Sequence, residues 1–193
     1  MASQTIDKLD AACRQLNTAI SLWFNNGDTV SIHTLTCSAH QIVHDINRRN
    51  TGRDLLYDSL IVKDEYRREW VKNLKQEYNF FKHGDNDSVG SVEFDPIITE
   101  FFIMFTSLGL EILGRKPDEV RGAFTIYWCL RNPDLLTAKG KEFVDALPKE
   151  TRNRALTMAK EKFFETYILF RKQHGAGAEP ATSPNRSPGA GSL

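Results

Sequence analysis

The chain has 193 residues, a length that suits one domain with a substantial core. Lys plus Arg and Asp plus Glu are 25 each, so the formal net charge is zero; this excludes a domain that binds polyanions over its whole surface and leaves room for a local basic face. Apolar residues at 40% and charged residues at 26% are ordinary for a globular protein, and three separated cysteines, Cys13, Cys37 and Cys129, make neither a disulfide framework nor a C-x-x-C metal pair.

In residues 4–24, Ile6, Leu9, Cys13, Leu16, Ile20 and Trp23/Phe24 recur in steps of three and four, which predicts an amphipathic helix. Asp7 and Asp10 in this segment, and the lack of an apolar run, argue against a signal peptide. NNGD at 25–28 breaks the helix, and Asp28 or Thr29 is placed to cap the next. That second helix, about 29–49, sets Ile32, Leu35, Ala39, Ile42, Val43 and Ile46 on one face. NTGRD ends it, and LLYDSLIV reads as a brief helix or a packed loop.

Asp64 opens a third helix through EYRREWVKNLKQEYNFFK, and HGDNDSVGS (83–91) is a turn-rich loop. Pro96, capped by Asp95, starts an apolar helix over 96–113. Glu100, Thr106, Ser107 and Glu111 interrupt it, so it reads as a central buried helix and not a membrane span. Further helices are expected over about 117–131, 137–147 and 149–173, the second stopped by Pro148. The aromatic residues Phe101, Phe102, Phe105, Trp128 and Phe163 are expected in the core, with a small-molecule pocket among them as the other reading.

No segment alternates at period two. The sequence therefore predicts an all-α bundle of about six or seven helices over 1–173. A Gly/Pro/Ser-rich tail over 174–193 has too few core formers to order itself. A soluble cytoplasmic protein is expected.

Two groups of residues invite chemistry. On the second helix, His33, Cys37, His40 and His44 share a face, and imidazole and thiolate are metal ligands. His33 and His44 lie about 16 Å apart along the axis, so one ion reaches at most neighbours such as His40 and His44. No H-E-x-x-H companion exists, and the spacing favours packing against another helix or subunit. No metal or cofactor is expected.

On the third helix, Arg68, Lys72, Lys75, Gln76, Asn79 and His83 project to one side, away from Trp70, Leu74 and Phe81. Such a face serves as a solvated helix surface. It also offers phosphate contacts, and histidine, the side chain suited to taking and returning protons, makes His83 a candidate for general acid–base work.

The stretch EYNFFKHGD resembles the motif of the HEPN superfamily (higher eukaryotes and prokaryotes nucleotide-binding domains), an Arg, a polar residue, three residues and a His. Asn79 takes the polar place, His83 the histidine place, and Tyr78 stands where the family has arginine. More widely, IHTLTCSAHQIVHDI, the FFKHGD box and EFDPIITEFF resemble a group of uncharacterised bacterial proteins. The HEPN resemblance implies an all-α homodimer acting on RNA or nucleotides, in many members a metal-independent ribonuclease. His83 and Asn79 would be its catalytic pair, with Lys75, Lys72, Arg68 and Tyr78 as binding residues. A tyrosine lacks the guanidinium charge that contacts the scissile phosphate. This departure keeps a second reading in view, a non-enzymatic dimeric binding or scaffold module.

Overall fold

The structure, a computed structural model, describes residues 3–51, 72, 75–83 and 89–174. Arg68, Trp70, Leu74, LLYDSLIV and most of the 174–193 tail lie outside the described residues. The fold is all-α, and the described residues contain no strand. None of their helices is long and apolar enough to cross a membrane.

Helix α1 runs Lys8–Phe24 and buries Ala12, Leu16, Ala19, Ile20 and Phe24. It starts four residues later than the periodicity suggests. The Asp7 carboxylate accepts the Asp10 backbone N–H at 2.7 Å and fixes the first turn there. At its other end Asn26 adopts φ 53° and the Gly27 N–H donates to the Leu22 carbonyl at 2.8 Å. A Cβ on Gly27 would stand 3.1 Å from Leu22 atoms, so the tight reversal needs glycine. Asp28 then accepts the Ser31 N–H at 2.8 Å and opens α2, Thr29–Thr51.

Helix α2 pairs extensively with α1 on one side and with a later helix on the other. It buries Ile32, His33, Thr36, Cys37, Ala39, His40, Val43, His44 and Asn47, a broader stripe than its aliphatic residues alone predict. The helical stretch 75–82, here α3, lies beside it. Helix α4, Ile97–Ile112, begins where Asp95 accepts the Ile97 N–H at 3.0 Å. It ends at Gly114, whose φ of 83° suits glycine.

Helix α5, Glu119–Arg131, is capped by Asp118. The same carboxylate receives Asn17 of α1 at 2.8 Å and the Arg121 Nε at 3.1 Å. Arg121 is buried and also donates to the Lys116 and Arg115 carbonyls, so one guanidinium ties the α4–α5 turn together. A short 3-10 turn, Pro133–Leu135, leads to α6, Ala138–Asp145.

The expected single helix over 149–173 is two: α7, Lys149–Thr157, and α8, Lys160–His174. The break at Met158–Ala159 redirects the chain so that Phe163 and Phe164 stack on Phe24 at 6.3 and 4.5 Å, and Lys160 sits 4.4 Å over the Trp23 ring. The core centres on this aromatic group, which Phe124 and Tyr127 complete. Of the aromatics expected inside, Phe102, Trp128 and Phe163 are buried and Phe101 is half-buried, but Phe105 is 37% exposed.

Candidate functional site

The residues singled out on α2 and α3 occupy two sides of one layer. Helices α2 and α4 are joined by two side-chain pairs with the same sequence offset. His33 Nδ1 lies 2.9 Å from Thr99 Oγ1, and His40 Nδ1 lies 3.2 Å from Thr106 Oγ1. Both numbers rise together, so the two helices run parallel, and the pairs sit two turns apart.

The protons follow from the partners. Thr106 Oγ1 donates to the Phe102 carbonyl at 2.6 Å, so His40 Nδ1 must donate its N–H to that oxygen. Cys37 Sγ is 3.4 Å from His33 Nε2, and burial pushes the thiol up and keeps it protonated. The S–H therefore donates to Nε2, and the N–H of His33 is on Nδ1 toward Thr99. Burial lowers His33 to about 4. Burial first, then the His44 and Lys75 charges, lowers His40 to about 3.

Both rings are neutral at pH 7 and enclosed by aromatic edges: Phe81, Phe94 and Phe102 around His33, Phe102 against His40. This seam holds helices together. Among the described residues, no three His, Cys, Asp or Glu side chains converge as a metal site. Replacing Thr106 by valine is expected to cost about 1–3 kcal/mol, because a buried imidazole N–H loses its acceptor. Thr106→Ser should recover most of that loss in a urea denaturation series.

Helix α3 packs on the far side of α2. Phe81 meets His33 at 5.9 Å, Tyr78 packs with Cys37 and Phe102, and Lys75 Nζ donates to Gln41 Oε1 at 3.5 Å. As α3 numbers rise the α2 partners fall, so these two helices run antiparallel. The inward face is thus Lys75, Tyr78 and Phe81, spaced by three. Lys75, expected beside His83, is half-buried against α2 because its projection lies at the edge between the two faces.

The outward face holds Lys72, Gln76, Asn79 and His83, all exposed. Asn79 and His83 are one turn apart on it. The His83 N–H donates to the Asn79 carbonyl at 3.0 Å, so the helical hydrogen-bond pattern reaches His83. Lys82 is exposed at the boundary, its Nζ 5.3 Å from the Tyr78 ring centroid. The structure therefore leaves Lys72, Asn79 and His83 exposed, sets only Asn79 and His83 one turn apart, and turns Tyr78 and Lys75 toward the interior. Arg68 lies outside the described residues. A shallow cleft of about 360 Å³ is lined by Asn17, Thr18, Ser21, Leu22 and Asn25, none of them on α3.

Sequence reasoning did not find the threonine partners, although Thr99 and Thr106 repeat the seven-residue spacing of His33 and His40. It also passed over Glu100. Burial raises the Glu100 carboxyl, against hydrogen bonds from Trp23 and Trp128 and the Lys160 and Arg131 charges. Burial likewise lowers Lys160. The group ties α4 to α1, α5 and α8 beside the aromatic core.

No family model, curated protein or solved structure matches the chain.

Proposed function

We propose that the protein is a non-enzymatic RNA- or nucleotide-binding module on a HEPN-like helical bundle, working as a homodimer in the bacterial cytoplasm. The observation that carries this reading is the orientation of α3: Asn79 and His83 face solvent while Tyr78 packs against Cys37 and Phe102.

Phosphodiester cleavage without a metal needs a cation fixed where charge develops, in a site that excludes water. Tyr78 carries no guanidinium and is turned inward, and Asn79 and His83 are exposed to solvent in high dielectric. Binding asks for less. Lys72 and Lys82 supply charge for phosphates, and Asn79 and His83 supply hydrogen-bond donors that fix register.

Fluorescence anisotropy with a labelled single-stranded RNA tests the reading. Wild-type protein is expected to bind at low salt. The double variant Lys72→Glu/Lys82→Glu should weaken binding by about tenfold or more. Its salt slope should fall by about 1.4, for two phosphate contacts at about 0.7 each. Absence of binding at low salt, or an unchanged slope in the double variant, would overturn the proposal.

A further inference from the structure

Helix α4 is apolar over most of its circumference, with Ser107, Glu100 and Glu111 in the remaining sector. Thr99, Phe102, Ile103, Thr106 and Leu110 are buried against the bundle. Yet Ile97, Phe105, Leu108 and Ile112 on its outer side are 37–62% exposed. Half-buried Phe101 completes the row, whose steps of four, four, three and four form one stripe down the helix. No polar side chain of α4 projects into this stripe, and its acids Glu100 and Glu111 fall beyond one edge. A helix hydrophobic all round belongs in an interior, and a contiguous exposed apolar row marks a surface awaiting a partner.

We infer that this stripe is the homodimer interface, with α4 of a second copy packed antiparallel across a two-fold axis near Phe105. This rests on the dimeric part of the proposed function and does not depend on RNA binding. Two features select a second copy in this orientation.

The stripe is nearly the same read in either direction. An antiparallel mate sets Ile97 against Ile112 of the partner subunit, Phe101 against Leu108 of the partner subunit, and the two Phe105 rings near the axis. Such self-matching is what an isologous interface requires.

The segments flanking the helix are also unlike in charge, although exposed Glu111 lies in its last turn. Exposed Glu93 and Asp95 precede α4, and exposed Lys116 follows it. Antiparallel pairing places Glu93 opposite Lys116 of the partner subunit at both ends and opposes the two helix dipoles. Parallel pairing would set like against like. A 16-residue helix presents a face about 24 Å long, less than a standard interface buries, so the dimer should be weak and concentration-dependent.

The test is size-exclusion chromatography with light scattering on the full chain at tens of micromolar. Wild type is expected near twice 22.0 kDa and Leu108→Lys/Ile112→Lys near 22.0 kDa. Both replaced side chains are exposed, so circular dichroism should not change, and the denaturation midpoint should match that of wild type diluted to the monomer. Glu93→Lys should raise the dimer dissociation constant about tenfold through end-on repulsion, and adding Lys116→Glu should restore it.

A monomeric wild type would overturn the dimer itself. A dimer that persists in Leu108→Lys/Ile112→Lys would overturn this face while sparing the dimeric reading. Failure of Lys116→Glu to restore would overturn the antiparallel arrangement.

Discussion

Phe24→Ala is expected to cost about 3–5 kcal/mol of stability, near the upper end for a buried aromatic. Phe24 is completely buried at the end of α1, where α5 and α8 converge. Its ring stacks on Phe164 at 4.5 Å with an 8° interplanar angle and meets Trp23 edge-on at 5.0 Å. Phe124, Tyr127 and Phe163 close the remaining sides within 6.4 Å. Five rigid rings cannot collapse into the space left by a lost phenyl, so the cavity cost adds to the lost burial. A typical domain has about 5–15 kcal/mol in hand, so the variant should be partly unfolded or melt far below wild type. Exposed Phe143, at 47%, provides the control, and Phe143→Ala should cost under about 0.5 kcal/mol. A Phe24→Ala loss below about 1.5 kcal/mol in urea would show that the α1–α5–α8 junction is not the core.

Acidification is the second large effect. His33 and His40 have folded values of about 4 and about 3, below the ordinary 6.5. The unfolded chain takes up protons at these positions first as pH falls. Their contribution is therefore complete above about pH 6.5 and erodes through the window from 6.5 toward 3–4. From pH 7 to pH 5 the two rings together should remove about 4 kcal/mol. The groups facing them are His44 on the same helix, Lys75 from α3, and Cys37 with Glu77 beside it. Protonation of His40 also meets the Lys75 charge, so this ring should resist longest. Denaturation midpoints at pH 7 and pH 5 measure the effect. His40→Phe should flatten the slope by about half whatever its own stability, and a wild-type midpoint unchanged between the two pH values would contradict the buried seam.

The helices were largely legible, and for one physical reason. α1, α2, α4 and α5 each place apolar residues at steps of three and four and carry a capping aspartate or a glycine stop. The break at Met158–Ala159 was not legible, because both flanking stretches are good helix formers. What bends the chain there is the fit of Phe163 and Phe164 on Phe24, a tertiary contact.

For the site, the four-residue spacing of Asn79 and His83 already places them one turn apart. The separation of Tyr78 from His83 likewise follows from helix geometry. The inward turn of Lys75 was hidden, because its projection alone does not say which flank of α3 meets α2. The His33–Thr99 and His40–Thr106 pairs join helices whose register no local pattern encodes. The exposed side of α4 was masked by its own composition, since a helix apolar over most of its surface reads as buried whether the bundle or a partner does the burying.

The most direct test of the proposed function mixes wild-type protein with labelled single-stranded RNA in EDTA, following anisotropy and strand length on the same sample. The predicted result is saturable binding with the RNA intact, and weaker binding without change in strand length for His83→Ala. Cleavage by wild type that His83→Ala abolishes would contradict it and make the outward face of α3 a catalytic one.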